Sequence, residues 1–131
     1  MKDALTQTGV IAIVDDDEPL REALGSVLKA AGFQTNTYPS AEEFFDAPSR
    51  NDTACLVLDV RLPGMSGIEL QKRLDDAGSR VPVIFVTAHG DAPVRELVMR
   101  AGAAGFLNKP VRSEALLKAI YAALQKAEAD T

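Results

Sequence analysis

Residues 10–19 read VIAIVDDDEP, an unbroken apolar run that stops abruptly at three aspartates, which a glutamate and a proline follow. A short apolar run rich in β-branched residues is typical of a strand that is buried on both faces of a parallel sheet. Asp17 is a suitable helix N-cap, and Pro19 suits the first turn of a helix that would follow. The stretch therefore predicts a strand over Val10–Val14, a tight loop and a helix.

The alternation of apolar strand and amphipathic helix continues outward from this stretch. Further strands are predicted at 33–38, 54–58, 81–86 and 105–107. The helices between them are predicted from N-caps at Ser40, Asp91 and Ser113 and from glycine stops at Gly32, Gly78 and Gly102. The fourth helix is predicted to turn four apolar residues inward, namely Val94, Leu97, Val98 and Ala101.

The order of these elements indicates the fold class. Five βα units in succession call for a parallel sheet with helices on both faces and right-handed crossovers, which is the doubly wound α/β architecture. In the flavodoxin-like (βα)5 form of this fold, the strand order 2-1-3-4-5 places the ends of the first and third strands side by side. We expect a single domain over residues 1–131, with its core at about residues 10–126.

Composition and charge exclude several classes of function. The 131 residues are 47% hydrophobic and 25% charged, and the net charge of -5 gives no general attraction to nucleic acid or anionic lipid. No apolar run approaches the ~20 residues that cross a bilayer, and residues 1–9 lack the apolar core of a signal peptide. The single cysteine, Cys55, is expected in the core. We therefore expect a cytoplasmic domain that binds neither nucleic acid directly nor a membrane.

Polar residues follow the predicted strands at the sheet edge where open α/β folds bind ligands. They are Asp15, Asp16, Asp59, Thr87 and Lys109. Three carboxylates crowded there would repel one another unless a cation compensates, and oxygen ligands favour Mg²⁺ over softer metals. We predict Asp16 and Asp59 as direct Mg²⁺ ligands, with Asp15 held through water. The acidic triplet also allows the neighbouring register, in which Asp16 and Asp17 are the working pair.

The same set of groups suits phosphoryl transfer. An aspartate carboxylate is able to attack phosphorus and form an aspartyl phosphate, and Asp59 is the natural nucleophile. In such reactions the protein mainly positions groups and neutralises charge on the phosphoryl oxygens, which are suitable roles for an ammonium and a hydroxyl. We therefore predict Asp59, Thr87 and Lys109 as the catalytic residues.

From Val10 to about Leu124, the chain resembles the receiver domains of response regulators in bacterial two-component signalling. The resemblance rests on four features: the acidic cluster at 15–17, Asp59 followed by PGMSG at 63–67, the pair Thr87 and Ala88, and Lys109 followed by Pro110. The segment HGD at 89–91, together with Ala101, Gly102, Ala103 and Phe106, resembles in particular the receivers of FixJ-type transcription regulators.

The resemblance implies a phosphoacceptor signalling domain and not a conventional enzyme. Such a domain takes a phosphoryl group from the phosphohistidine of a sensor histidine kinase onto the position of Asp59, and it hydrolyses the product slowly. Mg²⁺ would be bound by Asp16, Asp59 and the backbone carbonyl of Arg61. A cis peptide bond is expected before Pro110, although only about 5% of X-Pro bonds in folded proteins are cis.

The resemblance also implies a switch. The hydroxyl of Thr87 would move to the phosphoryl group and the ring of Phe106 would turn inward behind it. The face formed by the fourth helix, the fifth strand and the fifth helix would then change shape and control an output domain or a downstream protein. A phosphorylation-dependent homodimer through the fourth helix and fifth strand is expected from the FixJ-type resemblance.

Other interpretations stay open. One alternative is a receiver fold that serves as an interaction module and acts without phosphorylation. A second alternative, a haloacid-dehalogenase-type phosphatase, is disfavoured because that class needs an aspartate two residues after the nucleophile, where this chain has Arg61. A third alternative, a flavodoxin-like FMN binder, is disfavoured because the four acids at 15–18 would repel the phosphate of FMN. His89 either borders the site and tunes the lifetime of the phosphate or is an exposed loop residue.

Overall fold

The computed structural model describes residues 9–88 and 92–129. Its elements in chain order are β1 (Val10–Val14), α1 (Glu18–Ala30), β2 (Gln34–Tyr38), α2 (Ala41–Asp46), a 3-10 helix (Pro48–Asp52), β3 (Thr53–Asp59), α3 (Gly67–Asp76), β4 (Val83–Thr87), α4 (Ala92–Arg100), β5 (Gly105–Asn108) and α5 (Ser113–Ala129). The strands form one five-stranded sheet in the order β2-β1-β3-β4-β5, and every pair is parallel. The predicted doubly wound fold and strand order are confirmed.

Helices cover both faces of the sheet because successive residues of each buried strand point to opposite sides. In β1, Ile11 and Ile13 face the layer of α1 and α5, whereas Ala12 and Val14 face the layer of α2, α3 and α4. The α1 and α5 layer contributes Leu24, Leu28, Leu116 and Ile120 to its core. The opposite layer contributes Phe44, Leu70, Leu74 and Val98.

Side-chain caps begin α1, α2 and α3, and each cap satisfies a backbone N–H that has no partner within its helix. Asp17 Oδ1 accepts from Leu20 N at 3.2 Å at the start of α1. Ser40 Oγ accepts from Glu43 N at 3.1 Å, and Ser66 Oγ accepts from Glu69 N at 3.1 Å. The predicted caps Asp17 and Ser40 are confirmed, and the predicted cap Asp91 lies outside the described residues, as do His89 and Gly90.

Two predicted details are wrong. Ser113 is the first residue of α5 and not its cap, because Leu116 N donates to the carbonyl of Arg112 at 2.9 Å. The predicted inward face of α4 is wrong in part, because Leu97 is 54% exposed and Ala101 is also exposed, whereas Val98 is fully buried. Consecutive residues of a helix differ by about 100° around its axis, and α4 packs on the sheet through Val94 and Val98, so Leu97 points away from the core.

The composition predicted that Cys55 lies in the core and that no segment crosses a membrane. Cys55 is a free, fully buried residue of the core beneath α1 and α5, and burial raises the pKa of its thiol to about 12. A protonated thiol in the core is an apolar packing group, as predicted. Within the described ranges, none of the helices is both long and apolar enough to span a bilayer.

Candidate functional site

The carboxyl ends of the strands bring dispersed polar residues to one edge of the sheet. Asp59 and Thr87 are the last residues of β3 and β4, and Asp15 directly follows β1. These side chains belong to almost fully buried residues, with 2% of Asp15, 5% of Asp59 and none of Thr87 exposed. Because β3 lies between β1 and β4, Asp59 stands between the other two. The fold therefore produces the predicted convergence at this edge.

Lys109, one residue beyond β5, reaches across this edge to two carboxylates. Its Nζ lies 3.0 Å from Asp59 Oδ2 and 3.2 Å from Asp15 Oδ2. The backbone holds the lysine in place, because Lys109 N donates to the carbonyl of Thr87 at 2.8 Å. The bond between Lys109 and Pro110 is cis, as expected. Acids from the first and third strands thus share one ammonium.

The second oxygen of each buried carboxylate accepts a hydrogen bond from the backbone. Asp59 Oδ1 accepts from Arg61 N at 3.1 Å, and Asp15 Oδ1 accepts from Asp17 N at 2.9 Å. Arg21 Nη1 also donates to the backbone carbonyl of Asp15 at 2.7 Å. Each carboxylate is therefore fixed on one side, while its other oxygen faces Lys109. The sequence did not indicate Arg21, because a contact from a helix to a preceding loop leaves no periodic signal.

The pocket holds more negative charge than Lys109 neutralises. Burial raises the pKa of Asp15, and the charge of Asp59 adds to the rise, against the opposing effects of the Asp17 amide and of Lys109. Burial lowers the pKa of Lys109, but its hydrogen bonds and charge interactions with Asp59 and Asp15 outweigh burial and leave that pKa raised. Lys109 is therefore cationic at neutral pH, and ionised Asp15 is a source of unfavourable electrostatic energy.

These carboxylates fit a hard divalent cation. One oxygen from each of Asp15, Asp16 and Asp59 lies within 4.8 Å of the other two, and Asp16 is exposed to solvent. Oxygen donors and an opening for water match what Mg²⁺ prefers. Asp17 instead caps α1, so the geometry favours Asp15 and Asp16 over the alternative register.

Phe106 lies on β5 beside the strand that carries Thr87. The register pairs Phe106 with Phe85 and Thr87 with Asn108, so the aromatic ring lies two residues before the partner of Thr87. Phe106 is partly buried and packs against the core under α3 and α4.

Gly67 is required at the end of the loop that follows Asp59. Its N–H donates to the carbonyl of Val60 at 3.0 Å, and a Cβ built on it would collide with the backbone carbonyl of Asp59. We expect Gly67→Ala to lower the free energy of unfolding by about 1–3 kcal/mol, because backbone must shift to make room. Urea denaturation measures this change.

Gly25→Ala is the matched control for that measurement. A Cβ on Gly25, within α1, would meet no atom within 4 Å apart from its chain neighbours and the backbone of its own helix. This variant should gain about 0.5–1 kcal/mol, because alanine loses less backbone entropy than glycine in a helix. Equal stabilities of the two alanine variants would contradict the crowding at Gly67.

Asp15→Asn should stabilise the metal-free protein at neutral pH. Because the pKa of Asp15 is raised on folding, the unfolded chain releases its proton first. The free energy of unfolding therefore falls as pH rises from the ordinary pKa of aspartate through the higher pKa of Asp15 in the folded protein. The loss persists at higher pH. We expect a gain of about 1 kcal/mol for Asp15→Asn at pH 7. The gain should vanish below about pH 4.

Urea denaturation in a chelator across this pH range checks the prediction for Asp15. The asparagine oxygen still accepts from Asp17 N, so the variant changes charge more than packing. A loss of stability at pH 7, or a gain that does not depend on pH, would show that ionised Asp15 carries no electrostatic penalty.

Known proteins are similar in sequence to this chain along most of its length. The sequence model of the response regulator receiver domain matches residues 11–121. Response regulator protein TodT of Pseudomonas putida is 42% identical over 121 residues, which cover 92% of this chain and 53% of TodT. Transcriptional regulatory protein FixJ of Azorhizobium caulinodans is 41% identical over 114 residues, which cover 87% of this chain and 54% of FixJ.

The fold is similar to that of a solved relative. The crystal structure of FixJ-N matches with a TM-score of 0.82 at 38% identity, covering 92% of this chain and 96% of that one. The chain spans about half the length of the curated relatives above. These findings confirm the family that the strand-end motifs indicated: the chain belongs to the response regulator receiver domains of two-component signal transduction.

Proposed function

We propose that Asp59 accepts a phosphoryl group from a sensor histidine kinase in a reaction that requires Mg²⁺. The observation that carries the proposal is the position of Asp59 Oδ2, 3.0 Å from Lys109 Nζ in a pocket that also holds Asp15 and Asp16. Asp16, Asp59 and the backbone carbonyl of Arg61 would hold the metal, with Asp15 joined through water. When bound, Mg²⁺ would offset negative charge on the carboxylates and on the phosphoryl oxygens.

The chain's own groups supply the remaining steps. A carboxylate oxygen of Asp59 forms a bond to phosphorus while the bond from phosphorus to the kinase histidine nitrogen breaks, and the electron pair of that bond stays on the histidine. Lys109 and the hydroxyl of Thr87 stabilise negative charge on the equatorial oxygens. Water later attacks phosphorus and returns Asp59 as a carboxylate, releasing inorganic phosphate slowly.

Response regulators work with sensor kinases and output domains, and relatives of this chain are transcription regulators. We propose that this chain is one receiver domain with its core at about residues 10–126, that it acts in the cytoplasm, and that it controls an output domain or a partner protein. The net charge of -5 supports a regulatory domain that does not itself bind nucleic acid.

The output of phosphorylation is proposed to be a change in the face of α4, β5 and α5. Thr87 would move to the phosphoryl group and Phe106 would turn further into the core. On α4, the apolar side chain of Leu97 is 54% exposed, which supports this helix as part of a homodimer contact of the phosphorylated protein. Size-exclusion chromatography with and without a beryllofluoride phosphoryl mimic tests the dimer, and an unchanged monomer would contradict it.

Metal-dependent phosphorylation of the purified chain tests the proposed function. Incubation with a small acyl phosphate and Mg²⁺ should add the mass of one phosphoryl group, and a chelator should prevent the addition. No uptake at any Mg²⁺ concentration would favour the alternative, an interaction module that acts without phosphorylation. No described contact favours that alternative.

A further inference from the structure

We propose that Glu42 is a positioning residue that anchors the loop between β3 and α3, and so sets how tightly the site binds Mg²⁺. The inference rests on the proposed function only through the role of Mg²⁺. Glu42 lies in the first turn of α2, on a different element from every residue of the proposed site. Its connection to the site is a contact that it makes with residues 64 and 65.

Glu42 bonds to the middle of this loop. Glu42 Oε2 accepts a hydrogen bond from Met65 N at 3.0 Å, a contact between residues 23 positions apart. The side chain of Met65 is largely buried in the core beneath α2, α3 and α4. The loop is therefore attached at residue 65 to both the core and α2.

The same carboxylate packs against the backbone of Gly64. Gly64 has φ +74°, a backbone conformation that residues other than glycine rarely adopt. A Cβ at this position would collide with Glu42 Oε2. A residue without a side chain thus lets the carboxylate approach the loop closely. The hydrogen bond from Met65 N lowers the pKa of Glu42 below its ordinary range, so the acceptor is an anion at neutral pH.

Further hydrogen bonds connect the loop that Glu42 anchors to Asp59. At its start, the loop is held by Val60 N, which donates to the carbonyl of Val86 at 3.0 Å, and by Arg61 N, which donates to Asp59 Oδ1 at 3.1 Å. At its end, Gly67 N donates to the carbonyl of Val60 at 3.0 Å. Between these two ends, Glu42 supplies a hydrogen bond to Met65 N, in addition to the packing of the Met65 side chain in the core. The loop it holds carries Arg61, whose carbonyl is the proposed backbone ligand.

Loss of the Glu42 side chain should reduce the affinity for Mg²⁺ more than it reduces the free energy of unfolding. In Glu42→Ala, residues 61–66 keep both ends but lose the central hydrogen bond, so the carbonyl of Arg61 samples more positions. Ordering it around Mg²⁺ then costs more entropy. We expect the Mg²⁺ dissociation constant to rise by about three- to ten-fold. The phosphorylation rate at saturating Mg²⁺ should stay close to that of the parent chain.

Two variants make the test specific. Glu42→Gln retains a side-chain oxygen that accepts from Met65 N, so it should restore most of the Mg²⁺ affinity. Glu43→Ala removes the same charge from the same helical turn, and Glu43 makes no described side-chain bond to this loop. It should bind Mg²⁺ like the parent chain.

Calorimetric titration with Mg²⁺ and hydrogen exchange at the Met65 amide are the measurements. The expected result is weaker binding and faster exchange in Glu42→Ala alone, with midpoints of urea unfolding similar in Glu42→Ala and Glu43→Ala. Equal Mg²⁺ affinity and exchange in these two variants would overturn the inference, as would a Glu42→Gln variant as weak as Glu42→Ala. Neither readout needs phosphorylation, so a parent chain that binds Mg²⁺ but takes up no phosphoryl group would reject the proposed function alone.

Discussion

Asp59→Asn is expected to take up no phosphoryl group from a small acyl phosphate in the presence of Mg²⁺. An amide nitrogen or oxygen is too weak a nucleophile to attack phosphorus under conditions in which a carboxylate does so. The amide oxygen still accepts from Arg61 N, where Asp59 Oδ1 now accepts at 3.1 Å, so the loop after β3 should keep its position. Intact-protein mass spectrometry over a time course measures the loss.

Asp75→Asn is the matched control for this variant. Asp75 is an exposed acid near the end of α3 and takes no part in the group of three carboxylates. It should be phosphorylated at the rate of the parent chain. Undiminished uptake by Asp59→Asn would reject Asp59 as the acceptor, and a circular dichroism spectrum like that of the parent chain would show that the fold is retained.

Lys109→Ala is expected to slow phosphorylation on the order of a hundredfold, because a charged donor to the phosphoryl oxygens is removed from a partly buried site. It should also block the change in the α4, β5 and α5 face. The Mg²⁺ affinity should change much less, because Lys109 bonds to Asp59 and Asp15 without being a ligand of the metal. Rate measurements and calorimetric titration separate these effects.

An equal loss of rate and of Mg²⁺ affinity in Lys109→Ala would contradict the assigned role of the ammonium. Lys118→Ala, on the exposed side of α5, is the control for removal of a positive charge. It should leave both the phosphorylation rate and the Mg²⁺ affinity unchanged, because it lies outside the proposed site.

The fold was predictable from sequence wherever burial on both faces makes a strand an unbroken apolar run. β1, β3 and β4 are such strands, and all five residues of β1 were placed. Errors arose where periodicity is weak. The short helix α4 exposes Leu97, which its apolar character placed in the core.

The candidate site was predictable as far as it depends on topology. Parallel strands bring their carboxyl ends to one edge, so Asp15, Asp59 and Thr87 had to be neighbours once the strand order was known. The contacts of Arg21 and Glu42 were not predicted. Both are made by long side chains that reach from a helix to a loop, and their geometry depends on packing that no short sequence pattern encodes.

Chemical trapping of the acyl phosphate tests the central claim most directly. Borohydride reduces an aspartyl phosphate to homoserine, so the phosphorylated parent chain can be reduced, digested and mapped by tandem mass spectrometry. We predict conversion at Asp59 alone, and only when both Mg²⁺ and the acyl phosphate are present. Conversion at Asp15 or Asp16 instead, or a stable phosphoryl group on His89, would contradict the assignment of Asp59 as the phosphoacceptor.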